Sequence, residues 1–143
     1  MLMSHHCELV RTNFSDLSWR SEEIATMVSL LMPARHRALA STLAYEATAR
    51  AESLLAAFGM LVECADDPSA LGGVLDALAY EHVRSGVGQT EYLAFRDDVL
   101  GALRTWSGPL WSGGLEQAWL HLFNEVIWML LERAEQVTIR IAA

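Results

Sequence analysis

The stretch Leu78-Ala-Tyr-Glu-His82-Val-Arg-Ser-Gly86-Val87 places a histidine near the end of an apolar helical face. Leu71, Leu75, Leu78 and His82 follow one another at spacings of four, three and four residues, so all four side chains share one face of a helix. A histidine in this position is either a core residue with an ordinary hydrogen bond or a metal ligand. Spacing alone favours the core residue, and the surrounding sequence has to decide between the two.

The composition indicates an ordinary globular protein. The 143 residues are enough for one compact domain, and 52% of them are hydrophobic, which argues against disorder. The net charge of −8 disfavours binding to nucleic acid or to an anionic membrane, and the longest apolar run, Val126 to Leu131, is too short to cross a bilayer. The N-terminus has no secretory signal, and Cys7 and Cys64 make no disulfide framework. We therefore expect a cytoplasmic protein.

Helical periodicity and helix-capping residues run through the chain, and no segment alternates with the period of a strand. The predicted helices are a first one around Val10, Phe14 and Leu17, a second from Ser21 to Met32 that Pro33 breaks or bends, a long one from about Arg35 to Glu63, one between Asp67-Pro68 and Gly86 that carries His82, one from Thr90 to about Trp106, and a last one from about Leu115. The pattern predicts an all-α chain.

From Asp66 to about Leu131 the sequence resembles bacterial haemoglobins and the globin domain of flavohaemoglobins. The resemblance is carried by the stretch around His82, by Glu91-Tyr92, by Val99-Leu100 and by Ala118-Trp119, while Leu9-Val10 and Phe14 fit the first helix of that family. It implies a globin-like fold of six to eight helices. We expect residues 1–143 to form a single globin-like domain without a reductase domain.

For the site, the resemblance implies that His82 binds the iron of haem b from the proximal side and that Tyr92 helps to hold its ring. The family also uses a glutamate on its last helix. Here that position is Ala134, with Glu132 and Glu135 beside it, so the sequence departs from the family pattern.

The distal side departs further from the family. The positions of its distal tyrosine, haem-packing phenylalanine and distal glutamine fall on Ser29, Leu43 and Arg50, and a shift of about four residues near Pro33 would place Ala25 and Leu39 at the first two. Neither register restores the tyrosine or the phenylalanine, so we expect short-lived oxygen binding and weak nitric oxide dioxygenation. The residues expected to contact haem, besides His82 and Tyr92, are Ser29, Leu43, Arg50, Leu54, Leu78 and Val87.

Arg50 interrupts an apolar helical face, and a lone buried guanidinium is costly. One interpretation is that Arg50 reaches solvent or pairs with Glu46 on the preceding turn. The other is that it meets an anion in the pocket, such as a haem propionate. The face that it interrupts consists of Leu43, Ala47, Leu54, Phe58 and Leu61.

Other histidines are weaker candidates for metal ligands. His121 and Glu125 lie four residues apart, but a di-iron bundle needs paired Glu-x-x-His motifs, which the chain lacks. His5, His6 and Cys7 could chelate a metal ion adventitiously, but we expect these residues to be a frayed, solvated terminus. We expect His36 to lie in a solvated basic turn, with a swing into the distal pocket as a sixth iron ligand as the alternative.

The expected function is a haem-binding globin that binds a diatomic gas or acts as a haem-dependent sensor or enzyme on a small molecule. The alternative is a haem-free globin-like sensor or interaction module, in which His82 is a relic. The expected partners are haem and a gas or small molecule, with a separate reductase if the protein is redox-active. A homodimer is left open.

Overall fold

The computed structural model describes residues 4–142, which form seven α-helices and no strand. The helices are α1 (Ser4–Asp16), α2 (Ser21–Arg35), α3 (Arg37–Ala40), α4 (Ala47–Glu63), α5 (Gly72–Arg84), α6 (Gln89–Ser107) and α7 (Gly113–Ala142). Single 3-10 turns at Ser18–Arg20, Pro68–Leu71 and Gly108–Leu110 join some of them. The expectation of an all-α fold with six to eight helices is confirmed. Across the described residues, no helix is both long and apolar enough to cross a membrane.

The C-terminal helix is the centre of the packing. α7 contacts α1, α5 and α6, and α2 packs on α4. The buried side chains of α7 recur at helical spacing, so a single face of this helix enters the core. They include Leu115, Trp119, Leu122, Val126 and Leu130.

A buried polar network fixes α1 to α6 and α7. The Trp119 indole N–H donates to Asn13 Oδ1 at 3.0 Å, and Asn13 Nδ2 donates to Ser107 Oγ, also at 3.0 Å. All three residues are buried. A buried indole needs such an acceptor, because an unpaired N–H in the core is costly. Asn13 thus sets how α1 lies against the rest of the fold.

The second helix continues past its proline. The sequence predicted a break or bend after Met32, whereas α2 continues to Arg35. Pro33 is tolerated because it lies in the last turn, where the His36 N–H still donates to the Met32 carbonyl at 2.7 Å. However, proline has no N–H for the carbonyl of Ser29, one turn earlier.

The prediction of one long helix over 35–63 is wrong. The chain forms α3 and α4 instead, with residues 41–46 between them. The Thr42 hydroxyl donates to the Leu39 carbonyl at 2.7 Å, so a side chain takes over a carbonyl that a continuing helix would have used. Glu46 then begins α4, because its carboxylate accepts from two backbone N–H groups of the first turn.

Arg50 supplies the donors that Pro33 cannot. Its Nε and Nη2 donate to the Ser29 carbonyl at 3.1 and 2.9 Å, and its Nη1 donates to the carbonyls of Ala44 and Tyr45 at 3.3 and 2.7 Å. The residue is only 4% exposed. The hydrogen bonds of Arg50 within the described residues all go to main-chain carbonyls, an arrangement that neither interpretation from sequence had named. Its guanidinium fastens α4 to α2 and to the turn before α4.

We expect Arg50→Met to lower the free energy of unfolding by about 2–4 kcal/mol, because it leaves several buried carbonyls unpaired. In a Pro33→Ala background the loss should be about 1 kcal/mol smaller, because the new N–H at position 33 can donate to the Ser29 carbonyl. Urea denaturation of the four proteins measures this coupling. Arg140→Met, at the exposed end of α7, is the control. Equal losses in both backgrounds would show that Pro33 and Arg50 are not linked through that carbonyl.

Candidate functional site

The end of α5 brings His82 against the start of α6. His82 lies in the last turn of α5, and its carbonyl accepts from the Val87 N–H at 2.9 Å. Gly86 has a φ of 79°, a left-handed conformation that glycine adopts without strain. The chain can therefore reverse within a few residues, and α6 carries Tyr92 back to the imidazole.

His82 and Tyr92 form a buried, neutral pair. The distance from His82 Nδ1 to Tyr92 Oη is 2.6 Å, and the two residues are 8% and 6% exposed. Burial lowers the pKa of His82, with a weak opposing effect from Glu81, and burial raises the pKa of Tyr92. The imidazole is thus held in the uncharged form that binds metals. Its other nitrogen, Nε2, has no hydrogen bond within residues 4–142.

Beside this pair lies a cleft of about 830 Å³, counting the part that opens to solvent. Its walls are almost entirely apolar. Leu78 is 37% exposed although it lies on the same helical face as the buried Leu75, because it faces this opening. The lining side chains are Met32, Leu39, Thr42, Leu43, Leu54, Ala57, Phe58, Leu61, Leu78, His82, Tyr92, Phe95, Arg96, Val99, Phe123, Val126, Ile127 and Leu130.

The other polar groups that line the cleft already have partners. The Thr42 hydroxyl donates to the Leu39 carbonyl. Arg96 Nη1 donates to Asn124 Oδ1 at 2.6 Å, and its Nε and Nη2 donate to Asp97 Oδ1 at 3.1 and 2.9 Å. The side chain of Arg96 is 19% exposed, so its guanidinium is within reach of water. Of the described residues that line the cleft, only His82 has a ring nitrogen without a hydrogen-bond partner.

The structure brings some of the predicted contact residues to the cleft but not others. Leu43, Leu54 and Leu78 line it with His82 and Tyr92. Val87 is buried beneath His82 in the turn and does not line the cleft. Ser29 and Arg50 face each other between α2 and α4, where the Ser29 hydroxyl donates to the Ala47 carbonyl at 2.9 Å. These three residues therefore support the walls of the cleft and do not line it.

Each of the two sequence registers considered for the distal side places only one of its residues at the cleft. Leu39 and Leu43 both line the cleft, whereas Ala25 lies in a different cavity. Phe58, which the sequence pattern places only on an apolar helical face, supplies an aromatic ring to the cleft. Arg96 was also missed, although its position four residues after Tyr92 on a helix indicated the same face.

On the proximal side, the expected departure from the family holds in the described residues. Glu132 and Glu135 are exposed on α7, and neither is hydrogen-bonded to His82 or Tyr92. Ala134 has no group that could replace the glutamate. The His82–Tyr92 pair is consequently left without a carboxylate partner.

His36 lies behind one wall of the cleft. The prediction of a solvated basic turn is wrong, because the residue is 7% exposed and its Nε2 lies 2.6 Å from Asp98 Oδ2. Arg35 donates to both oxygens of Asp98, and this contact holds the pKa of Asp98 below its usual range. The ring of His36 contacts that of Phe95 edge-on, with centroids 5.2 Å apart. His36 does not line the cleft, and Phe95 does.

Comparison with known proteins identifies the family to which this chain belongs. The globin family model matches residues 39–130, well over half of the sequence, so the chain belongs to the globin family. A comparison with curated proteins found no match. Among the solved structures, an engineered carbene transferase built on a candidate nitric oxide dioxygenase from Rhodothermus marinus is 24% identical over 100% of both chains, with a TM-score of 0.82. That likeness shows the same fold and confirms the globin-like architecture expected from the sequence.

Proposed function

We propose that this globin binds haem b in the cleft, with His82 Nε2 as the proximal ligand of the iron. Globins in general hold haem, so the family supports the cofactor. The observation that carries the assignment to His82 is its ring geometry. Tyr92 holds Nδ1 at 2.6 Å, and Nε2 is left without a hydrogen bond within residues 4–142.

The residues present fit a porphyrin. Among the 18 described residues that line the cleft, only Thr42, His82, Tyr92 and Arg96 carry a polar side-chain group. Its apolar walls suit the faces of the macrocycle, and Arg96 lies where a propionate could meet a guanidinium. Ligation requires the lone pair of Nε2, so the ring proton is on Nδ1 and is donated to Tyr92 Oη.

The proximal pair makes His82 a moderate electron donor. A carboxylate behind the pair would draw on the shared proton and give the imidazole more negative character. Here position 134 is alanine, and Glu132 and Glu135 are exposed. We infer a nearly neutral histidine, which is less suited to breaking oxygen–oxygen bonds.

The distal walls indicate the class of ligand. Haem bound here would supply an iron that takes up small ligands, and donors from the protein would stabilise a polar ligand on it. Thr42 already donates to Leu39, and Arg96 donates to Asn124 and Asp97. The remaining walls are apolar. They favour carbon monoxide, nitric oxide or a small apolar molecule over tightly held oxygen, which supports a sensor or a haem-dependent enzyme.

We expect His82→Ala to lose the Soret absorption of bound haem, or to regain it only with added imidazole, because no other described residue that lines the cleft has a ring nitrogen. Tyr92→Phe should keep the haem but shift the iron–histidine stretching frequency in resonance Raman spectra, since Nδ1–H loses its acceptor. His36→Gln, a change at a buried histidine outside the cleft, is the control. Unchanged spectra in His82→Ala would assign the ligand elsewhere. A parent protein that binds no haem would favour a haem-free module.

Arg96→Leu should speed the transfer of haem to a scavenging apoprotein by roughly tenfold or more, since a charge-assisted hydrogen bond contributes about 1.5–3 kcal/mol. A propionate would compete with Asp97, an exposed partner whose ion pair is weak. Arg104→Leu is the matched control, because Arg104 lies on the same helix but pairs with Glu116. Equal rates of haem loss in the two variants would exclude a propionate contact.

The parent protein should release oxygen about 10–100 times faster than a Leu54→Gln variant, because the new amide supplies a donor worth about 1.5–3 kcal/mol to a polarised ligand. Release of carbon monoxide, which is less polar, should change far less. Stopped-flow mixing measures both rates, and Leu54→Met controls for shape. Slow oxygen release by the parent would mean that Thr42 or Arg96 leaves its present partner and donates to the ligand.

A further inference from the structure

Two histidines from opposite ends of the sequence meet at the surface of the fold. His6 on α1 and His121 on α7 are 115 residues apart in sequence, and their Nδ1 atoms lie 2.8 Å apart. The rings are edge-to-face, with centroids 4.5 Å apart. The expectation of a frayed terminus is wrong for residues 5–7, because they belong to α1 and Cys7 is only 2% exposed.

This contact has the geometry of an incomplete metal site. Two imidazole nitrogens bound to zinc at about 2.0–2.1 Å lie about 2.9–3.4 Å apart, depending on the angle at the metal. The observed 2.8 Å is a few tenths of an ångström shorter, a difference that small side-chain rotations can supply. His121 is exposed and His6 is half-buried, so the pair is open to ions from solvent.

The surroundings of His6 favour an uncharged imidazole. Partial burial lowers the pKa of His6, and the neighbouring His121 and His5 lower it further. Protons and metals compete for the same nitrogen, so the proposed site binds a metal through neutral imidazoles. A metal ion between the rings would replace a contact that two protonated imidazoles cannot make.

We propose that His6 Nδ1 and His121 Nδ1 bind a divalent transition metal, of the class of zinc, copper or nickel, between α1 and α7. Imidazole nitrogen suits these metals. Within residues 4–142 no group of three or more His, Cys, Asp or Glu residues is arranged to hold a metal, so water or an external ligand completes the coordination. The site lies apart from the cleft, whose lining residues include neither histidine.

The metal would join the start of α1 to α7, two helices that are otherwise linked by the Asn13–Trp119 hydrogen bond. An ion that binds only the folded arrangement raises the stability of that arrangement by mass action. The site would therefore secure the N-terminal helix and leave the proposed haem chemistry unaffected.

The test is titration of the untagged full-length protein with Zn²⁺, followed by isothermal calorimetry and by the unfolding temperature. The parent should bind one Zn²⁺ and unfold at a higher temperature with it. His6→Ala and His121→Ala should each weaken Zn²⁺ binding at least about tenfold and abolish the rise in unfolding temperature. His5→Ala is the matched control, because His5 precedes His6 and its ring contact among the described residues is with His6, at a centroid distance of 6.1 Å, and not with His121.

A second readout identifies the ligands directly. Cu²⁺ added to the parent should give an electron paramagnetic resonance spectrum with coupling to two imidazole nitrogens, and each single variant should lose it. Circular dichroism of each variant without metal checks that the fold is intact. Absence of Zn²⁺ binding by the parent, retention of binding in either single variant, or an equal loss in His5→Ala would each overturn the proposal.

Discussion

Arg50 is a positive charge enclosed between two helices, and the carbonyl of Ser29 is central to making that position tolerable. Pro33 removes the N–H that would have paired with this carbonyl within α2, and the guanidinium from α4 takes its place. The same side chain pairs with two carbonyls of the turn before α4. One residue thus sets the separation of α2 and α4, and with it the position of the cleft walls that these helices carry.

The opposite wall depends on a much more local arrangement. Gly86 reverses the chain, and the residues on either side of this turn bring His82 and Tyr92 together. The two rings hold each other through one hydrogen bond, and burial favours the neutral form of both. The site therefore combines a locally determined proximal side with a distal side that depends on long-range packing.

This difference explains what the sequence could predict. The all-α architecture, the helix that carries His82 and the role of Tyr92 as its neighbour follow from spacings of four and ten residues and from one glycine, all within a short segment. Ser29 and Arg50 could not be placed in the same way, because their positions depend on where α3 ends and α4 begins. That boundary is set by side chains such as Thr42 and Glu46, which pair with the backbone and interrupt an apparently continuous helical pattern.

His36 shows the same limit of prediction from sequence. Its two arginine neighbours in the sequence suggested a solvated turn, but its partner is Asp98, 62 residues further along. Such a contact leaves no periodic signal. Arg96, in contrast, was within reach of sequence reasoning, because it lies one helical turn after Tyr92.

The hydrogen bond between Asn13 and Trp119 has a consequence for the order in which the protein assembles. It joins residues 106 apart in sequence, and closing so large a loop has an entropic cost. The described residues that line the cleft lie between Met32 and Leu130, so none of them belongs to α1. A chain in which α1 has not yet docked already contains every wall of the cleft. Detachment of α1 would then be a local opening that exposes the Trp119 indole to water without removing any residue that lines the cleft.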